Sequence, residues 1–428
     1  MITWIKNGQV VDPDKQTAEE ADLIIEKGKI ARIVPPAVIT GNGSRLKIID
    51  ASGKLIIPGL VDMHVHLREP GHEYKETVAT GAGAGAAGGF TALACMPNTV
   101  PPNDCRSVTE FILEQARKAK LCRIYPIAAI TIGQKGTQLT EFGDLKEAGA
   151  VGVSDDGMPV LNSELMRHAL EYARYHGLSV ISHAEDTSLS DGGVMHEGVI
   201  STRIGLPGIP AASEEIMVYR DIALARLTGC PVHIAHVSTA RAVELIRMAK
   251  EDHIPVTAET APHYFSLDHT AVIGYNTHAK MNPPLRTAAD VQAIKQGLAQ
   301  GVIDVIATDH APHSDMEKDL EFDQAAFGII GLETALPLTL NLVREGILTL
   351  PEAIRKLSSS PARILGIDVG RLAEGVTADL SIIDPDYEYV LKKKDICSRS
   401  KNSPFIGKTM KGRNDLTMIG GRIVWKRG

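Results

Sequence analysis

The chain has 428 residues, 44% hydrophobic and 23% charged, which is ordinary globular usage and excludes collagen, coiled coil and disorder. Lys and Arg total 45 against 52 Asp and Glu, and the formal charge of −7 argues against nucleic-acid binding, which needs a basic face. No run reaches the roughly 18 apolar residues of a membrane span. The opening MITWIKNGQVVD has neither the apolar core nor the cleavage site of a secretory signal. Five scattered cysteines form no CxxC pair, against both a disulfide framework and a cysteine zinc site. A cytoplasmic protein is expected.

Residues 1–54 read as short strands and turns: WIKNGQVVD, ADLIIEKGKIARIV and LKIIDASGK combine β-branched residues with Gly or Asn-Gly turn signals. The last 60 residues return to that style in DLSIIDPDYEYVL and LTMIGGRIVWKRG, so the two termini are expected to build one small β domain. Between them, apolar runs alternate with helical patterns. LIIPGLVDMHVHL, FTALACMPN, RIYPIAAIT, AVGVSDDG, LSVISHAED, PVHIAHVST, IPVTAETAPHY and DVIATDHAPH make eight strands, with helices such as SELMRHALEYARYHG and RAVELIRMAKED interleaved. Eight βα units predict an α/β protein, a (β/α)₈ barrel over 55–366, flanked by 1–54 and 367–428. The basic stretch 392–413 reads as a solvated strip.

The polar residues fall at strand ends. His64 and His66 share a face at period-two spacing, and Asp155-Asp156, His183, His236 and Asp309 end strands four, five, six and eight. That rim carries the active site in barrel enzymes. Imidazoles and carboxylates suit Zn²⁺ and similar ions. His64, His66 and Asp309 would hold one ion and His183 and His236 a second, with a strand-four carboxylate between them. Alternation puts Asp156 on the face of Gly152 and Ser154, with Asp155 as the fallback. Such a pair of ions lowers the pKa of a water from about 15.7 towards 7 and polarises a carbonyl. Arg68, whose guanidinium matches a carboxylate, with Asn98, Asn282 and His313, suits an anionic substrate. His263, His278 and His310 lack this combined support and read as structural.

PGLVDMHVHLREPG, ACMPNTVPPND and ATDHAPHSDMEK, with SKNSPFIG near the C-terminus, resemble the dihydroorotases of the amidohydrolase superfamily, the class I bacterial type in particular. The resemblance implies a metal-dependent barrel and the reversible cyclisation of N-carbamoyl-L-aspartate to L-dihydroorotate in pyrimidine biosynthesis. It implies two zinc ions per subunit, Asp156 bridging, and Asp309 as the proton carrier. It also implies substrate contacts from Arg68, Asn98, Asn282 and His313, with a mobile loop over 314–328 and a backbone contact near Gly328. Many relatives in the superfamily bridge their metals with a carboxylated lysine; AVGVSDDG has no lysine, as in the class I dihydroorotases. A homodimer and association with aspartate transcarbamoylase are further expectations of the resemblance. The rival readings are another cyclic amidase of the fold (hydantoinase, dihydropyrimidinase or allantoinase) and a non-catalytic barrel scaffold.

Overall fold

The computed structural model describes residues 2–36 and 46–428. Among them, eight parallel strands follow one another in chain order: Leu60–Val65, Phe90–Cys95, Arg123–Ala128, Gly152–Val153, Ser179–Ser182, Val232–Ile234, Val256–Thr260 and Val305–Ile306. The series closes on itself. Val65 bridges His310 in parallel, and the His66 amide donates to the His310 carbonyl at 2.9 Å. This is the expected (β/α)₈ barrel.

The outer helices follow from their patterning. Ser163–His176 buries Met166, Ala169, Leu170 and Ala173, an i, i+3, i+4, i+7 stripe. Asn162 caps it by accepting from the Glu164 and Leu165 amides, and Gly177 at φ 63° ends it. At the other end of the barrel, Ser179, which opens the fifth strand, donates to the Ile364 carbonyl at 2.5 Å. The helix Ser359–Leu365 therefore lies across the N-terminal mouth, leaving the C-terminal rim for chemistry.

Both termini contribute to the second sheet, in the order Arg422–Lys426, Thr409–Ile419, Leu380–Val390, Leu55–Pro58, Ile2–Asp12, Thr17–Glu26 and Lys29–Val34, with Leu46–Asp50 also pairing with Ile2–Asp12. Lys27-Gly28 (φ 50° and 79°) and Gly420-Gly421 (φ 57° and 73°) make the two-residue turns that their glycines predict. Asn7-Gly8 does not turn. It forms a bulge within one long strand, where the register shifts between Ile5 and Gly8.

The apolar run LIIPGLVDMHVHL is two strands rather than one. Leu55–Pro58 belongs to the terminal sheet, pairing with both Ile2–Asp12 and Leu380–Val390, and Leu60–Val65 opens the barrel. The basic stretch 392–413 is also not a solvated strip throughout. Lys392, Lys393 and Lys394 are exposed, but Ser398, Ser400, Asn402, Ser403 and Phe405 are buried, the first three bonding the loops of the C-terminal rim. The buried polar residues satisfy rim backbone and carboxylates, which overrides the basic composition of the segment.

Gly59 is the joint between the two sheets. A Cβ there would lie 2.1 Å from Thr91 Oγ1 and 2.3 Å from its Cγ2. Overpacking of this kind costs about 1–3 kcal/mol. Gly59→Ala is expected to lower unfolding stability by that amount in urea denaturation; an unchanged midpoint would show that the joint has room to relax.

Candidate metal centre and substrate cavity

At the rim the sequence-predicted residues converge. The side chain of Asp156 is central: its Oδ1 lies 3.3 Å from His64 Nε2, 3.4 Å from His183 Nδ1 and 3.6 Å from His236 Nε2. Its Oδ2 is 3.4 Å from His66 Nε2. Asp309 Oδ1 stands 3.2 Å from His66 Nε2 and 3.6 Å from His64 Nε2. His64, His66 and Asp156 form one group of three ligand-type atoms within 4.8 Å of one another, and Asp156, His183 and His236 form another. Two ligands on one tetrahedral ion with bonds of about 2.0–2.1 Å sit roughly 3.4 Å apart. The separations around Asp156 match that spacing.

The hydrogen bonding makes the same point. His64 Nε2 and Asp156 Oδ1 are buried with no hydrogen-bond partner. Leaving such atoms unsatisfied costs about 1–3 kcal/mol each, and a cation among them removes that cost. Burial opposes charge on Asp156 and Asp309, yet His64 and the neighbouring imidazoles hold both carboxyls well below the usual range. The residues fit a divalent metal.

Asp155 faces elsewhere. Its Oδ1 accepts from the Ile130 amide at 2.8 Å and the Thr131 amide at 3.1 Å, and the Thr131 hydroxyl donates to Oδ2. Burial pushes its pKa up to about 6 against these bonds.

Three residues at the rim hold the left-handed backbone region that side chains rarely adopt: Arg68 at φ 61°, His236 at 34° and Asp309 at 47°. Such backbone costs of order 1–3 kcal/mol per residue and persists where the surroundings over-determine it. It turns these side chains in toward the cavity.

Sequence reasoning missed the carboxylates that orient the imidazoles. His64 Nδ1 bonds Glu259 Oε1, and His233 Nε2 holds the other oxygen of Glu259 at 3.2 Å. His183 Nε2 bonds Glu185 Oε2 at 2.8 Å, and the Asn282 amide donates to the same oxygen at 3.1 Å. Each carboxylate leaves the other ring nitrogen facing Asp156, the usual outer support of a metal-binding imidazole. The available signal was a glutamate inside the apolar strand IPVTAET and another two residues after His183.

A cavity of about 250 Å³ opens on this cluster, lined by Arg68, Asn98, Asn282, His313 and Gly328 together with His66, Asp156, His183, His236 and Asp309. His64 lies behind its wall. His66 Nδ1 donates to Asn98 Oδ1 at 2.7 Å, so the Asn98 amide nitrogen is the end left for a ligand. Arg68 Nε donates to the Pro312 carbonyl at 3.2 Å, and its Nη2 lies 3.2 Å from His313 Nε2. Gly328 spends both backbone groups internally, its N–H on Lys280 O and its carbonyl on Lys318 and Asn402. A Cβ on Gly328 would meet Ala311 O at 2.6 Å and His313 Cδ2 at 2.7 Å.

The segment 314–328 packs around two buried lysines. Lys318 Nζ donates to the Ala326 and Gly328 carbonyls, and Lys280 Nζ to those of Phe322 and Asp323. Burial pushes them down to about 7 and about 8 respectively. Asn402, in SKNSPFIG, ties this segment to the rim: it accepts from the His313 amide at 3.0 Å and donates to the Ala311 and Gly328 carbonyls. His310 accepts from the Gly331 amide and faces Glu76, and His263 is buried against Tyr264; neither lines the cavity.

A barrel with such a rim is the fold of the amidohydrolases, and the structural comparisons agree on that fold. The L-hydantoinase (dihydropyrimidinase) of Arthrobacter aurescens superposes with a TM-score of 0.87 at 26% identity, covering 100% of this chain and 96% of that one. The dihydropyrimidinase of Brevibacillus agri gives 0.85 at 23% identity over 100% and 95%, a likeness of fold alone. A family profile described as dihydro-orotase-like matches residues 53–242. Over the full length, the curated dihydroorotase of Geobacter metallireducens is 53% identical, covering 100% of both chains. That of Pelotomaculum thermopropionicum is 55% identical over 99% of this chain and 98% of its own. This chain belongs to the dihydroorotase family.

The two aspartates of strand four can be separated by experiment. Asp155→Ala strands two buried amides and is expected to cost about 2–4 kcal/mol of stability, read by urea unfolding. A loss below roughly 0.5 kcal/mol, the ordinary scatter of surface substitutions, would contradict the role drawn from its bonds.

Proposed function

We propose that the chain interconverts N-carbamoyl-L-aspartate and L-dihydroorotate in de novo pyrimidine biosynthesis, with two zinc ions per subunit. His64, His66 and Asp309 would hold one ion and His183 and His236 the other, with Asp156 shared and no carboxylated lysine. When bound, the metal pair activates a water at neutral pH and polarises the carbonyl under attack. Arg68 and the amide nitrogen of Asn98 bind the substrate carboxylate, and Asn282 and His313 position the ring. Asp309 takes up the proton released by the attacking water and delivers it to the leaving ring nitrogen, as base and then acid. In the biosynthetic direction the same proton returns by the same carboxylate.

The observation that carries this reading is the cationic wall beside the Asp156 cluster. Arg68 donates through Nε to the Pro312 carbonyl and lies against the His313 imidazole through Nη2, and among the described residues it pairs with no carboxylate, so its charge is available to an anionic substrate. A hydantoin without a carboxylate leaves that guanidinium idle, and a non-catalytic scaffold has no use for the cluster. With this reading go the division 1–54, 55–366 and 367–428, a cytoplasmic homodimer, and association with aspartate transcarbamoylase. No helix among the described residues is long and apolar enough to cross a membrane.

The test is an assay on dihydroorotate, hydantoin and allantoin with metal analysis of the same preparation. Metal-dependent turnover of dihydroorotate alone is expected; preferential turnover of hydantoin or allantoin would overturn the substrate. Asp309→Asn is expected to lower kcat by at least about 10²–10⁴-fold, the usual worth of a general acid–base group. Near wild-type turnover in that variant, with its metal content confirmed, would reject Asp309 as proton carrier.

A further inference from the structure

His313 stands between two cations. Arg68 Nη2 lies 3.2 Å from its Nε2, and Lys75 Nζ lies 3.4 Å from its Nδ1. Burial together with Arg68 and Lys75 holds this imidazole far below the ordinary range, so it is neutral. A neutral imidazole has one N–H and one lone pair in its ring plane, whereas ammonium and guanidinium only donate. One of the two contacts is therefore a hydrogen bond, and the other sets a donor against a donor.

The surroundings decide which. Nδ1 is 3.8 Å from Glu317 Oε2, too far for a hydrogen bond, so among the described residues a proton there would meet only the Lys75 ammonium. Nε2 instead lies on the cavity side, where water or a ligand can accept, so the bond at Nδ1 is the one it accepts from Lys75. Lys75 is itself buried and fixed by Glu317 Oε1 at 2.7 Å. The imidazole proton then sits on Nε2, on the cavity side, facing Arg68. An anionic oxygen placed between Nε2–H and the guanidinium turns that donor–donor contact into two charge-assisted bonds.

We propose that Lys75 is a positioning residue for substrate: by donating to His313 Nδ1 it keeps the proton on Nε2, and so makes His313 and Arg68 a paired donor site for a carboxylate. Without the ammonium, Nδ1 can carry the proton instead. Nε2 then accepts from Arg68, the guanidinium is tied to the ring, and a lone pair faces the incoming anion. Lys75 thus acts on binding through His313 and touches no reacting atom. This inference rests on the dihydroorotase reading, since it needs a carboxylate on the substrate.

The test is steady-state kinetics on dihydroorotate with the metal-loaded enzyme and three variants. Lys75→Met is expected to raise KM roughly tenfold to a hundredfold, the span of one charged hydrogen bond, with a much smaller change in kcat. Lys75→Arg keeps a donor and should recover most of the KM. Glu317→Gln keeps the ammonium but loosens its hold, and should raise KM less than Lys75→Met does. Lys75→Met with an unchanged KM, or a Lys75→Arg as impaired as Lys75→Met, would overturn the proposal. A Glu317→Gln with a larger KM defect than Lys75→Met would place the effect in the loop rather than in the ammonium and overturn it as well. A wild-type chain inactive on dihydroorotate overturns the functional reading and this inference together; an active wild type with an unmoved Lys75→Met overturns the inference alone.

Discussion

A single carboxylate, that of Asp156, sits among four imidazoles at the mouth of the barrel, 3.3 to 3.6 Å from the nearest nitrogen of each. Burying an anion and four basic rings together is expensive unless every one is paired. For three of the rings the architecture supplies a partner from outside, Glu259 behind His64, Asn98 behind His66 and Glu185 behind His183, while His236 faces His183 within the cluster. Each partner fixes which ring nitrogen faces inward. The inner cluster is held by polar contacts from several different strands, so it exists only when the barrel has closed.

The second constraint is the rim around the cavity, which is assembled from remote parts of the chain. The loop after the first strand contributes Arg68 and Lys75, the loop after the eighth contributes His313 and Glu317, and the C-terminal segment contributes Asn402. Glu76 adds a further tie, accepting from the Arg399 amide at 3.1 Å and from the Ser398 hydroxyl. The terminal sheet is thus more than an appendage. The chain that leaves it at Val390 returns past the cavity and holds the substrate-facing loops in place. On the proposed reading, the cationic wall beside the Asp156 cluster would separate a site for a carboxylate-bearing cyclic amide from one for a neutral ring.

Much of this was legible in the sequence because it follows from period and position. Apolar runs alternating with amphipathic helices define the barrel, and metal-type side chains at the ends of five strands define the rim. Alternation carried past the short fourth strand separates Asp156 from Asp155, and although the strand itself ends at Val153 the structure turns their carboxylates to different partners. The parts that escaped depend on tertiary contact. Asn7-Gly8 has the composition of a turn but serves as a bulge, because neighbouring strands pair along both halves of Ile2–Asp12. Gly59 breaks one hydrophobic run into strands of two sheets, which hydropathy alone does not mark. Glu259, Glu185 and Asn402 lie 195, 2 and 89 positions from the residues they hold, and only the side chains that would touch metal or substrate advertise their chemistry by residue type.

On the proposed reading, an aspartate of the chain, ready ionised at neutral pH, would join the two halves of the metal centre, in place of a lysine that must first react with CO₂. The most direct measurement is reconstitution of the metal-free enzyme with zinc in CO₂-depleted buffer, with and without bicarbonate, following zinc content and dihydroorotate hydrolysis together. Zinc alone is predicted to restore both, at a rate and to an extent that bicarbonate does not change. Strict dependence on bicarbonate would contradict this, because a carboxylated lysine would then have to stand where Asp156 does.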